Sequence, residues 1–145
     1  MFLAFVLFLL NGCTRPDHVQ EIIKQIRETA EQGDANAQYK LAMLYSAGTF
    51  FAQDDAEAVN WYHKAAKQGH AEAQFCLGVN YYKGIGVSKN QTEAERWLRK
   101  AAEQEHSSAQ SYLNFMAITN KINERKLHQV EGQEHETIAD SLKEQ

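Results

Sequence analysis

Apolar residues in the middle of the chain fall at helical spacing. Ala37, Leu41, Leu44 and Tyr45 stand at i, i+4, i+7 and i+8, and Ala58, Trp61, Tyr62 and Ala65 at i, i+3, i+4 and i+7. Each set lies along one stripe of a 3.6-residue helix, so the pattern predicts two amphipathic helices in succession. Their ends carry chemical signals as well. Asp54 stands three residues before Glu57, Asn90 three before Glu93 and Ser107 three before Gln110, each spaced as a capping box in which the two side chains satisfy free backbone N–H groups. Gly48 and Gly84 are placed to end the first helices and Gly69 to end a second one, because a left-handed terminal residue costs least as glycine.

The pattern then repeats. A shift of 36 carries Trp61 onto Trp97, Ala65 and Ala66 onto Ala101 and Ala102, Gly48 onto Gly84, and Tyr45 onto Tyr81. It carries Leu41 onto Leu77 and Leu113, and the pair Ala37–Gln38 onto Ala73–Gln74 and Ala109–Gln110. Going backwards, Ala30 and Gln32 prefigure Ala66 and Gln68. A fixed period in this range marks a stack of identical supersecondary units. The expected fold is therefore all-α, a right-handed α-α superhelix, meaning a solenoid of helical hairpins with a 36-residue repeat. Its expected divisions are an apolar leader at 1–12, a leading helix at 13–32, repeats at 33–68 and 69–104, a closing first-type helix at 105–119, and a capping helix with a polar tail at 120–145. Ala42 or Gly78 and the alanine pairs let backbones approach, and the two tryptophans fill the space beside them.

The runs AxAQxxLxxxYxxG and AxxWxxKAAxQ, seen in Ala71 to Gly84 and Ala94 to Gln104, resemble the Sel-one-like repeat, a relative of the tetratricopeptide repeat. The likeness covers about Ile22 to Thr119. GIGV from Gly84 fits the family's inter-helix loop, whereas GTFF from Gly48 departs from it, with Phe50 in place of the second glycine. The resemblance implies a non-enzymatic module that binds a protein or peptide ligand in a concave groove lined by first helices. Carried over from the related tetratricopeptide register, the inward positions are Tyr39, Met43 and Ser46, then Phe75, Val79 and Tyr82, then Ser111, Phe115 and Ile118. The partner-binding set expected from these is Tyr39, Met43, Phe75, Val79, Tyr82 and Phe115. Tyr39 and Phe75 recur with the period and could equally be packing residues; Met43 and Tyr82 have no identical counterpart.

Composition narrows the partner class. A net charge of −4 and a pI near 5.8 provide no basic field to gather phosphates, which argues against nucleic acid and anionic membrane surfaces. The opening run MFLAFVLFLL is too short to span a bilayer and suits the core of a signal peptide. Leu10, Asn11, Gly12 and Cys13 resemble a bacterial lipobox, with Asn11 departing from the usual small residue. That resemblance implies cleavage before Cys13 and its acylation, and Thr14 in such proteins favours the outer membrane. The expectation is an exported protein, held in the periplasm or at the outer membrane by a lipid on Cys13, or else secreted. Contact with the membrane would come through that lipid alone. With Cys13 so used, Cys76 has no partner for a disulfide.

Candidate chemistry is sparse. Of six histidines, His70 and His106 are one period apart, so repetition accounts for them without a metal, and neither HExxH nor CxxC occurs. No catalytic residue, metal site or cofactor is expected. The alternative class is a β-lactamase-like envelope hydrolase, an activity described for cysteine-rich relatives of this repeat. It would call for SxxK, yet none of the serines has a lysine three residues on.

Overall fold

The computed structural model describes the backbone over residues 16–143 and the side chains over 18–126. Cys13 and the apolar leader lie outside the described residues. Six helices follow one another there: α1 (Pro16–Glu31), α2 (Ala35–Ala47), α3 (Asp55–Lys67), α4 (Ala71–Lys83), α5 (Gln91–Ala102) and α6 (Ser107–Lys143). Pro16 opens α1, a position where its missing N–H costs nothing. Each helix packs mainly on its neighbours in sequence, so α2–α3 and α4–α5 form two stacked hairpins between α1 and α6. The chain is a solenoid of helical hairpins.

The helix starts are capped as the sequence suggests, with two differences. Asp54 and Asn90 accept from the N–H groups of Glu57 and Glu93 at 2.9 and 3.1 Å. The returning half of each capping box does not form, because the cap N–H groups already donate to the carbonyls of Tyr45 and Tyr81 at 3.1 and 2.9 Å. Glu57 and Glu93 are thereby released for other partners. At α6 the cap is His106 and not Ser107, which lies inside the helix. His106 Nδ1 accepts from Ala109 N at 3.3 Å, as His70 Nδ1 does from Ala73 N, while Asp34 Oδ1 accepts from Ala37 N at 2.7 Å. Asp34, His70 and His106 thus hold one position of the repeat.

First helices end where glycine allows it. Gly48 and Gly84 take left-handed conformations, φ 64° and 76°, and close α2 and α4 after 13 residues each. The equivalent residue in the third unit is Asn120, and α6 runs straight through it to Lys143. No break separates the closing helix expected at 105–119 from the cap expected at 120–145: with no glycine to turn the chain, one 37-residue helix takes both. The inter-helix loops differ too. Gly86, at φ 67°, lies so close to the Asp55 carbonyl that any Cβ would clash with it. In the first unit Phe50 is exposed at the same position, and Phe51 stacks on Tyr45 at 4.8 Å with the Arg27 guanidinium 4.9 Å from its ring.

Leu41, Leu77, Leu98 and Met116 are fully buried, within a column of alanines that includes Ala65, Ala73, Ala94, Ala101 and Ala109. Small residues are required there: a Cβ on Gly78 would sit 2.7 Å from Leu98 Cγ. A ladder of glutamines ties the units together. Gln38 Nε2 donates to the Ala30 carbonyl and Gln74 Nε2 to the Ala66 carbonyl, both at 3.1 Å. Gln68 and Gln104 each donate at 2.8 Å to the side-chain oxygen of Gln38 and Gln74. Because Gln38 and Gln74 are buried, each rung satisfies amide groups that would otherwise be orphaned.

Candidate functional site

The third unit carries aromatic residues that its first helix does not bury. Phe115 on α6 is 53% exposed, and Ile118 and Ile122 beside it are 61% and 46% exposed. Tyr112, one turn before Phe115, meets Phe75 and Tyr82 of α4 edge-on, at centroid distances of 6.2 and 5.5 Å. Tyr82 and Tyr112 each approach Phe115 as well, at 6.3 and 5.9 Å. Edge-to-face contacts in this range are the favoured geometry for aromatic rings. The Phe75 ring stacks at 4.8 Å on the imidazole of His106, which the helix N-terminus fixes in place. Lys89 Nζ lies 5.5 Å from the Tyr82 ring. Phe75, Tyr112 and Phe115 form one wall of an open depression of about 510 Å³, whose other lining is Ser107, Ser108 and Ser111.

The structure brings Phe75, Tyr82 and Phe115 together, with Val79 packed against the same cluster. Tyr39 and Met43 stand one unit away on α2. Tyr39 repeats the Phe75 arrangement: half-buried, it stacks on His70 at 4.6 Å and tilts against Tyr62 at 5.9 Å. Met43 is 47% exposed. Tyr112, which links the cluster, was not among the expected residues. Its signal lay in a break of the period, since the equivalent positions are Lys40 and Cys76. Burial raises the Tyr39 phenol above its ordinary range, with smaller contributions from Cys76 and Glu72, and raises Tyr112, with a smaller one from Tyr82. Both present neutral hydroxyls near neutral pH.

Cys76 is half-buried, and burial pushes its thiol up, against the pull of the neighbouring Tyr62 hydroxyl. It is a poor nucleophile, since the thiolate is the reactive form. Among the described residues no three His, Cys, Asp or Glu side chains gather as metal ligands, and no helix is long and apolar enough to cross a membrane. What this face offers is apolar and aromatic area with a few hydroxyls, the composition of an interface core.

The family model for the Sel1 repeat matches residues 35–70 and 71–106. Among solved structures, a Sel1 repeat protein from Oxalobacter formigenes is 39% identical with a TM-score of 0.65, over 66% of this chain and 71% of that one. A protective antigen of uropathogenic Escherichia coli with an SLR fold is 35% identical with a TM-score of 0.63, over 65% of this chain and 20% of that one. Cysteine rich protein B of Helicobacter pylori is 25% identical with a TM-score of 0.62, over 64% of this chain and 70% of that one. Among proteins of curated function, none matches the chain. Sel1 repeat proteins are in general protein–protein interaction modules, and the fold is typically a non-enzymatic scaffold. With two contiguous units matched and the same hairpin stack in its relatives, this chain belongs to the Sel1 repeat family.

Proposed function

We propose that the protein binds a peptide or helix of a protein partner across the faces of α2, α4 and α6. The centre of the site is Phe75, Tyr82, Tyr112 and Phe115, with Tyr39, Met43 and Val79 extending it toward α2. The carrying observation is that four aromatic rings from two units meet edge-on while Phe115 stays 53% exposed. Large aromatic side chains in such positions supply most of the energy of protein interfaces. Export, with a lipid on Cys13, would place the partner in the periplasm or outside the cell.

A photoreactive side chain in place of Tyr82, activated in intact cells, tests the site directly. Wild-type context should give a discrete crosslinked protein by mass spectrometry. The pair Tyr82→Ala and Phe115→Ala should abolish capture of that protein without changing helical circular dichroism; loss of both together would place the rings in the core instead. Anchoring is tested separately, by whether labelled palmitate reaches the wild type but not Cys13→Ser.

A further inference from the structure

Two of the three first helices are capped by an imidazole where the other is capped by a carboxylate. His70 and His106 accept the Ala73 and Ala109 N–H groups on Nδ1, each at 3.3 Å, in the place where Asp34 accepts from Ala37. An imidazole can accept there only while neutral: protonation puts a hydrogen on Nδ1, turns the acceptor into a donor facing another donor, and sets a positive charge against the positive end of a helix. A carboxyl group keeps an acceptor oxygen whatever its protonation state. The same two rings are stacked on Tyr39 and Phe75. We propose that His70 and His106 are acid-releasable caps, and that their protonation frees the first turns of α4 and α6 and unseats the rings of Tyr39 and Phe75. The part concerning partner affinity rests on the function proposed above; the capping part stands without it.

The surroundings make the two caps unequal. His70 faces the Tyr39 phenol from α2 and, on its own helix, the Glu72 carboxylate, whose oxygen is 3.5 Å from Nδ1. A protonated His70 can turn to that carboxylate. His106 faces the apolar Phe75 from α4, and among the described residues no carboxylate oxygen lies within 4 Å of its ring nitrogens. The Ala109 N–H, however, also donates to the His106 carbonyl at 3.0 Å, a partner it keeps when the imidazole is protonated, whereas among the described residues the Ala73 N–H has only the His70 ring. Release should therefore be the more complete at α4.

The test is site-resolved amide exchange by NMR on the full free chain, at pH 7.5 and 5.0, each corrected for intrinsic exchange. Imidazole changes charge across this window as no other unperturbed side chain does. The Ala73 amide should lose roughly fivefold in protection at the lower pH, the size of a lost N-cap, with Ala109 losing less because it keeps the His106 carbonyl, while Ala37 holds as the internal control. His70→Asp with His106→Asp should abolish the change. Equal pH response at all three alanines, or the same response in the double variant, would overturn the proposal. Once the Tyr82 crosslink has identified a partner, its affinity should fall at pH 5.0 for wild type and hold for the double variant. Intact exchange results with no partner captured would count against the binding face alone.

Discussion

Trp61 and Trp97 hold the same place in successive units, and one of them lacks a hydrogen bond. Trp61 Nε1 donates to Glu57 Oε1 at 2.7 Å. Trp97 Nε1 is buried with no partner among the described residues, although Glu93 stands where Glu57 does. The difference is the residue three positions after the glutamate. Asn60 touches the other oxygen of Glu57 at 3.3 Å and leaves the first free, whereas Arg96 holds Glu93 at 2.9 Å and draws it away from the indole. Arg96→Asn should return Glu93 to Trp97. A hydrogen bond to a charged acceptor contributes about 1.5–3 kcal/mol. Against it stand the Arg96–Glu93 pair, half-exposed and worth about 0.2–1 kcal/mol, and the Arg96 contact with the Trp97 ring at 4.9 Å, worth about 0.5–1 kcal/mol. The Lys100 contact with that ring at 4.8 Å is untouched.

The balance favours the variant by about 1 kcal/mol, or about 3 °C in Tm for a chain of this size. Urea unfolding followed by circular dichroism, with the slope unchanged, measures it. The reciprocal change, Asn60→Arg, should destabilise by a similar amount, because it pulls Glu57 away from Trp61. A neutral or destabilising Arg96→Asn together with a neutral Asn60→Arg would show that the buried indole carries no penalty, and the reasoning would fail.

Gly86→Ala should destabilise by about 1–3 kcal/mol by urea melt, since its Cβ has no space before the Asp55 carbonyl and its φ of 67° strains any other residue. Burial raises the Cys76 thiol above its ordinary 9.0 and also raises the Tyr62 phenol, so the unfolded chain releases these protons first. Their contribution to stability is present below about pH 9 and declines as pH rises beyond it; Cys76→Ala should flatten that alkaline limb in Tm against pH. Gln74→Leu should cost about 1–3 kcal/mol by removing the acceptor of Gln104 and the donor to Ala66, and its effect should be non-additive with Gln104→Leu.

The period made the hairpins, their stacking and the alanine column readable from sequence, because each depends on which face a residue occupies and the face follows from spacing. The caps at His70 and His106 were harder to read, since histidine is not among the preferred N-cap residues and Ser107 is. The shift from Asp34 to His70 to His106 carried the information all the same. Phe75, Tyr82 and Phe115 could be placed on one side of the stack by register, but Tyr112 joins them through contacts between α4 and α6 that no single helix encodes. The unsatisfied Trp97 was unreadable: both units write Glu four residues before Trp, and only the competition from Arg96 separates them.

The same kind of local substitution explains why the repeat stops propagating at α6. A second helix docks on α4 because Gly78 leaves room for Leu98, and the equivalent residue in the first unit is the fully buried Ala42. In α6 that position is Asn114, exposed, with a side chain where a docked helix would need none. Asn120 then removes the glycine that would turn the chain, and Gln133 replaces the tryptophan that would fill the space. Gln110, whose counterparts are buried in the ladder, turns outward to Asn114 at 3.3 Å. The face of α6 beside Glu95 and Arg99 sets Asn114 and Asn120 among Leu113 and Ala117, so a hairpin docked there would have to bury two amides. Tyr112 and Phe115 carry its apolar side toward α4 instead, which is why aromatic exposure gathers at the end of the stack where the packing pattern fails.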